Sequence, residues 1–218
     1  MTQTKPDTLL LALLRHVPFD GWSDEALRKT ADGARITLAD LMVAFPGGTA
    51  DALRAFADWV ERQMLARLGR HKLIQMRVRD RVALGVRLCL EVMAPHREAV
   101  RAAMHSGWQP GRTILGVKSL ARLCDTIWYE AGDNATDFNY YTKRMLLAAV
   151  FSSTLIYWLQ DTSEKFEKTY LFLENRIDNA MQLGKLTHNI KNIPQIFGKI
   201  KNISSIRDIF VGRQRTAA

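Results

Sequence analysis

The chain of 218 residues has few of the features that mark disulfide-stapled, sheet-rich or membrane-spanning proteins. It contains two cysteines, six prolines and thirteen glycines. Cys89 and Cys124 have no second cysteine or histidine at metal-ligand spacing, so the sequence predicts neither a disulfide framework nor a zinc site. The longest nearly apolar run, residues 145–159, is shorter than the ~18 residues that span a bilayer and predicts a buried helix instead.

Apolar residues recur at three- and four-residue steps along most of the chain, which predicts an all-α fold of about nine helices. Ser23 and the Thr37 to Asp40 pair predict two helix starts. A helix over about 72–93 is expected to turn Ile74 inward and Arg77, Arg81 and Arg87 outward. We divide the chain into a helix-turn-helix-like segment (1–48), a helical domain (49–182) and a tail (183–218).

The net charge of +9 is unevenly distributed. Residues 17–61 carry −4, residues 62–122 carry +10 and the tail carries +6. The helix-turn-helix outline followed by a larger helical domain resembles the TetR family of repressors, whose third helix reads DNA. Residues 36–51 contain Asp40 and Asp51 but no lysine or arginine, which is unsuited to phosphate contacts and predicts no nucleic-acid partner. A TetR-type regulator with an apolar ligand remains the alternative reading.

Patterns typical of catalytic sites are missing from the sequence. The five histidines are scattered, no Glu-x-x-His pair occurs, and no glycine-rich phosphate loop precedes a helix. The sequence therefore predicts a protein that is not an enzyme, with no catalytic residues, no metal site and no cofactor.

The tail combines an apolar stripe with basic residues and has almost no acid. Its stripe advances in steps of three and four, which is typical of an amphipathic helix that lies on a membrane surface. The predicted membrane-contacting residues are Ile190, Ile193, Phe197, Ile200, Lys199 and Lys201.

Residues 128–177 carry a pattern that resembles a known family. It includes Trp128-Tyr129, Ala131-Gly132-Asp133, the run from Thr136 to Arg144, Trp158-Leu159 and Arg176-Ile177, with Phe45-Pro46-Gly47-Gly48 and Asp58-Trp59 earlier in the chain. The pattern is similar to that of the "Coq-nine" family of coenzyme Q (ubiquinone) biosynthesis accessory proteins. Tyr140-Tyr141 stands where that family usually has Trp-Tyr.

The resemblance implies a TetR-like fold that binds an isoprenoid quinone or phospholipid and assists the di-iron demethoxyubiquinone hydroxylase. It also implies a homodimer and a C-terminal amphipathic helix at the membrane surface. Because the sequence opens without a transit pattern, we expect a bacterial member, cytoplasmic and peripheral to the inner membrane.

Two faces of the helix that begins near residue 136 are the candidate sites. Asp137, Tyr140 and Arg144 are expected to form an outward partner-binding face, or else an N-cap with a solvated ion pair. The opposite, inward face is expected to leave room for a lipid beside small residues, although ordinary helix packing fits it equally well. The predicted lipid-binding residues are Trp128, Tyr141, Met145, Ala148 and Ser152.

Overall fold

The computed structural model describes residues 5–33, 36–106, 110–133 and 138–189. Over these ranges it contains ten α-helices and no β-strand, which confirms the predicted all-α fold. The helices are α1 (Lys5–Leu13), α2 (Val17–Asp20), α3 (Asp24–Gly33), α4 (Leu38–Ala44), α5 (Thr49–Leu68), α6 (Val78–Met93), α7 (Arg97–Ser106), α8 (Pro110–Glu130), α9 (Phe138–Trp158) and α10 (Glu167–Asn189). Turns of 3₁₀-helix cover Leu73–Gln75, Ala94–His96 and Glu164–Phe166.

The helix that the sequence did not predict is the single turn α2. Pro18 lies in the first turn of this helix, where a backbone N–H has no intrahelical acceptor. The N–H that proline lacks therefore costs the helix no hydrogen bond. The turn ends at Gly21, whose φ of +66° favours a residue without a Cβ. Pro18 therefore starts a short helix after α1 instead of only terminating α1.

Both predicted helix starts in the helix-turn-helix segment are confirmed. The Ser23 hydroxyl accepts from the Ala26 N–H at 3.3 Å. The Thr37 hydroxyl accepts from the Asp40 N–H at 3.1 Å, and the Asp40 carboxylate accepts from the Thr37 N–H at 3.1 Å, which completes a capping box.

The described residues pack into two compact units. The first contains residues up to 71 together with 88–119, and the second contains 72–87 together with the residues from 120 onward. The division at 1–48, 49–182 and 183–218 stays a prediction, and α10 continues through residue 182 to Asn189. The predicted membrane residues Ile190, Ile193, Phe197, Lys199, Ile200 and Lys201 lie outside the described residues.

An aromatic cluster fills the first unit. The Trp22 indole N–H donates to the Ala99 carbonyl at 2.9 Å, and the Trp22 ring lies 5.9 Å from that of Phe56. His96 meets Phe56 and Trp59 edge-on at 6.1 and 5.6 Å. Burial lowers the pKa of His96, so the imidazole is neutral in this apolar setting.

In the second unit, α6 and α8 approach closely at Gly85. A Cβ at this position would lie 3.0 Å from Cγ2 of Ile127, so only a glycine fits without displacing the isoleucine. Helices α9 and α10 pack together, and the Tyr157 and Phe172 rings stack at 4.6 Å with their planes 6° apart. No helix among the described residues is long and apolar enough to cross a bilayer.

Neither cysteine forms a disulfide, and both are fully buried, in agreement with their apolar sequence setting. Burial raises the pKa of the Cys124 thiol to about 12. Among the described residues, no group of three or more His, Cys, Asp or Glu side chains is placed to hold a metal ion.

The start of α10 depends on a buried aspartate that the sequence analysis missed. Asp161 is 6% exposed and accepts from the Ser163 N–H at 2.8 Å, the Thr169 N–H at 2.9 Å and the Thr169 hydroxyl at 2.6 Å. These bonds span a turn in which Lys165 and Phe166 have φ of +50° and +59°. Burial alone would raise the pKa of Asp161, but the hydrogen bonds outweigh it and lower the pKa to about 2.

The prediction of one helix over 72–93 with Ile74 facing inward is wrong. A 3₁₀ turn at Leu73–Gln75 precedes α6, and Met76 between them is extended. Ile74 is 89% exposed, and Val78 is 45% exposed. Arg81, expected on the outer face, is half-buried and donates to two carbonyls.

Replacing Gly85 with alanine tests the α6–α8 contact. We expect the free energy of unfolding of Gly85→Ala to be about 1 to 3 kcal/mol lower than that of the control variant Gly116→Ala, because the added methyl group crowds Ile127. Gly116→Ala in α8 is the matched control, since its Cβ meets no described atom within 4 Å. It should be neutral or stabilise by up to about 1 kcal/mol. Equal urea-unfolding curves for the two variants would contradict the close contact.

Asp161→Asn tests the cap of α10. The pKa of folded Asp161 lies below the ordinary 3.8, so the carboxylate stabilises the fold fully above that value and loses this effect as pH falls through about 2. At pH 7 we expect Asp161→Asn to cost about 1 to 2 kcal/mol in urea unfolding. The difference from wild type should shrink below pH 4, whereas exposed Asp32→Asn should match wild type at pH 7. A difference independent of pH would rule out the charged cap.

Candidate functional site

The turn between α8 and α9 begins with a hydrogen-bonded helix end. The Asp133 N–H donates to the Trp128 carbonyl and the Gly132 N–H to the Tyr129 carbonyl, both at 3.0 Å, which is the Schellman pattern. Gly132 has a φ of +89°, and a Cβ there would lie 3.2 Å from Nη1 of Arg81. The glycine thus turns the chain and leaves room for this arginine.

Arg144, one and a half turns into α9, is 2% exposed and faces the end of α8. Its Nε lies 2.6 Å from Oδ1 of Asp125, and its Nη1 lies 3.3 Å from Oδ2 of Asp133. Nη1 also donates to the Tyr140 carbonyl at 3.1 Å, and the guanidinium carbon lies 3.3 Å from the centre of the Tyr140 ring. A buried guanidinium requires such partners, because an unpaired charge inside a protein is strongly destabilising.

The Tyr140 hydroxyl and two further side chains, Lys143 and Trp128, complete this network. The Tyr140 hydroxyl donates to Asp125 at 2.9 Å. Burial, and then this hydrogen bond, raise the pKa of Tyr140, so it remains a neutral donor. The Lys143 ammonium lies 2.5 Å from Oδ1 of Asp133, and the Lys143 carbonyl accepts from the Trp128 indole at 3.1 Å. Charges and aromatic rings therefore fix the first turns of α9 against the end of α8.

The predicted partner-binding face is only partly correct in its placement. Tyr140 is half-buried, with its ring 5.1 Å from that of Tyr141 in an edge-on arrangement. The expectation that Arg144 points outward is wrong, because Asp125 and Asp133 draw its charge to the buried side of α9. Asp137 lies outside the described residues. The role of these three residues in partner binding stays a prediction.

The predicted lipid face lies on the accessible side of α9. Met145 is 50% exposed, and Tyr141, Ala148 and Ser152 are half-buried. We call these four residues the accessible strip. The expectation that the strip is the core side of the helix is wrong, since the core side carries Arg144, Leu147, Phe151, Thr154 and Trp158. Trp128, predicted with the strip, is buried at the α8–α9 junction.

Arg144→Met tests whether the network is structural. Methionine keeps the length of the side chain but removes one of the two cations beside Asp133, which keeps Lys143, and Asp125 is partly exposed to water. We therefore expect a loss of about 1 to 3 kcal/mol in the free energy of unfolding, measured with urea. Arg54→Met removes the exposed ion pair with Asp51 and should change stability by less than about 1 kcal/mol. A small effect of Arg144→Met, similar to that of the control, would contradict the network.

Comparisons with known proteins agree with this architecture. A family model described as COQ9 matches residues 114–184, which include most of α8 and all of α9. The chain is 31% identical over 195 residues to the mitochondrial ubiquinone biosynthesis protein COQ9 of Homo sapiens, covering 84% of this chain and 60% of that protein. It is 32% identical over 187 residues to COQ9-B of Xenopus laevis, covering 81% and 62%. The chain thus spans about three-fifths of the length of these curated relatives.

A solved structure described as a TetR transcriptional regulator from Nitrosomonas europaea ATCC 19718 has the same fold. It superposes with a TM-score of 0.70 at 16% identity, covering 83% of this chain and 99% of that one. At this identity the likeness confirms the predicted TetR-like fold and carries nothing about function. The extended sequence matches, together with this fold, show that the chain belongs to the COQ9 family.

Proposed function

We propose that the chain is a non-enzymatic accessory protein of ubiquinone biosynthesis. It binds a polyprenyl quinone intermediate and presents it to a demethoxyubiquinone hydroxylase at the membrane. The observation that carries the proposal is the match over 84% of the chain to proteins named for ubiquinone biosynthesis. The family model covers α9, the helix that bears both candidate surfaces.

The accessible strip on α9 is the proposed contact for the lipid. A polyprenyl chain is apolar and gains free energy when its surface leaves water, at about 25 cal/mol per Å². Met145 offers a flexible thioether that adapts to such a chain, while Ala148 and Ser152 are small enough to let it approach the helix. Trp128 contributes indirectly, because its indole N–H bonds the Lys143 carbonyl and so fixes the backbone of α9 two residues before Met145.

The proposed contact for the hydroxylase lies at the start of α9. Tyr140 and Tyr141 present paired aromatic rings there, and aromatic side chains are enriched among the energetic centres of interfaces. Arg144 supports this contact from the buried side, because its guanidinium lies against the Tyr140 ring. Asp137, which precedes α9 in the sequence, is proposed to take part in the same contact.

Membrane attachment is proposed for the tail, whose apolar stripe and basic residues suit an anionic membrane surface. The protein would then be peripheral to the cytoplasmic side of the inner membrane and act as a homodimer. The relatives named above carry the word mitochondrial in their names, and the mitochondrial inner membrane would be the equivalent surface.

The alternative function, transcriptional regulation, is disfavoured by the surface of α4. Leu38, Met42 and Val43 are 44%, 64% and 81% exposed on this helix. The acidic Asp40 on the same helix forms an ion pair with Lys5 at 2.9 Å. An apolar surface with a neutralised pair offers no cation for the phosphates and no donor set for base edges.

Lipid occupancy tests the proposed function. The purified full-length protein is extracted with organic solvent, and bound quinone is measured by mass spectrometry. We expect bound polyprenyl quinone in wild type and about tenfold less in Met145→Asp, because a carboxylate on the strip opposes an apolar ligand. Met42→Asp, at a similarly exposed methionine on α4, should retain the lipid.

Three results would count against the proposal. Absence of quinone from wild type would contradict lipid binding, and equal loss in both variants would contradict the accessible strip as the lipid contact. A saturable, sequence-selective mobility shift with duplex DNA at physiological salt would favour the regulator.

A further inference from the structure

The segment between α5 and α6 exposes an aliphatic side chain at its tip. We call residues 72–78 the basic loop. Ile74 in its 3₁₀ turn is 89% exposed, and Val78, four residues later, is 45% exposed. Both side chains are large and aliphatic, so their exposure to water is unfavourable unless another surface covers them.

Hydrogen bonds hold this loop in a defined shape. The Gln75 N–H donates to the Lys72 carbonyl at 3.1 Å, and the Met76 N–H donates to the Leu73 carbonyl at 2.9 Å. Arg81 donates from Nε to the Met76 carbonyl at 3.0 Å and from Nη1 to the Ala131 carbonyl at 3.1 Å. The outward position of Ile74 is therefore a feature of a constrained turn within the second unit.

Basic residues predominate in the sequence around Ile74. Residues 62–79 contain six arginines and lysines and no acid. Lys72 and Arg77 are exposed and form no ion pair within the described part of the chain, whereas Arg79 is bound by Glu174 at 2.8 Å and Asp178 at 2.7 Å. Arg70 and His71, both exposed, precede the loop in the sequence.

High exposure alone does not identify such a site, because single exposed apolar side chains are common. Phe19 is 86% exposed but is followed by Asp20, within the segment of net charge −4. Ile74 differs because it is flanked in the sequence by Lys72 and Arg77, neither of which has an ion-pair partner among the residues that the structure describes. Phe19 therefore provides a matched comparison of equal exposure and opposite charge setting.

We propose that the basic loop is a second membrane-contacting element, in which Ile74 and Val78 enter the interface of an anionic bilayer while Lys72 and Arg77 bind its headgroups. An exposed aliphatic side chain between basic residues suits a lipid surface, where an apolar layer lies next to anionic headgroups. A single-stranded nucleic acid would instead favour aromatic side chains for base stacking. The inference rests on the proposed membrane association and extends it to a second segment of the chain.

Flotation with vesicles tests this inference on the full-length chain. The vesicles contain phosphatidylcholine with phosphatidylglycerol, and pure phosphatidylcholine vesicles serve as the neutral reference. We expect Ile74→Asp to lower the partition coefficient about tenfold, since it removes an apolar anchor and adds a negative charge. Lys72→Glu combined with Arg77→Glu should lower it by at least about tenfold on anionic vesicles only. Phe19→Asp should float as wild type does.

A tail variant separates this inference from the proposed role of the tail. Phe197→Asp in the full-length chain should reduce flotation by itself, and its effect should multiply with that of Ile74→Asp if the two elements bind independently. Wild-type flotation of Ile74→Asp, or an equal loss with Phe19→Asp, would overturn the basic loop as a membrane element. In that case a loss with Phe197→Asp would still support the tail. Because Ile74 is exposed, thermal unfolding should be unchanged in its variant, and this is measured alongside.

Discussion

The guanidinium of Arg144 is a positive charge removed almost completely from water, and the geometry of the α8–α9 junction follows from the need to satisfy it. Two carboxylates from the end of α8 and the turn after it, the Tyr140 carbonyl and the Tyr140 ring surround the group. Removing either acid would leave the enclosed guanidinium with fewer partners, and removing Arg144 would leave the enclosed Asp133 carboxylate with Lys143 alone. The rotation of α9 about its own axis is thus set by one ionic network and not by hydrophobic contacts alone.

That rotation decides which residues of α9 reach the surface. With Arg144 on the buried side, Leu147, Phe151 and Thr154 follow it into the core at helical spacing, and Met145 emerges on the opposite side. The proposed lipid and hydroxylase contacts both use what this rotation leaves accessible. The family model therefore matches the same part of the chain that carries both proposed contacts.

Helix caps formed by residues close in sequence could be predicted, whereas caps and contacts that depend on distant residues could not. The Ser23 cap and the Thr37–Asp40 capping box are bonds over three residues, and both were predictable from residue type and spacing. Asp161 caps α10 by accepting from Thr169, eight residues later, across a turn that contains two residues of positive φ. No helix-propensity rule predicts a cap at that distance. The only available signal was an aspartate beside threonine and serine, a combination that is common in ordinary loops.

The rotation of α9 was unpredictable for a related reason. Its residues 145–159 are apolar on nearly all sides, so periodicity does not distinguish the core side from the accessible side. Arginine is usually exposed, so its residue type favours an outward position for Arg144, and only its distant carboxylate partners explain its burial. The apolar pattern of α6 continues backwards in the sequence to Ile74, but the turn that Arg81 holds by its side chain separates Ile74 from that helix.

The burial of both cysteines has a practical consequence for spectroscopy on this protein. Cys89 and Cys124 are fully enclosed, and the thiolate that reacts with maleimides or spin labels is scarce at neutral pH for Cys124, whose pKa is raised to about 12. A cysteine placed on the surface would be both more accessible and more reactive than either of them. The native chain is therefore a ready background for selective labelling, with no need to alter its core.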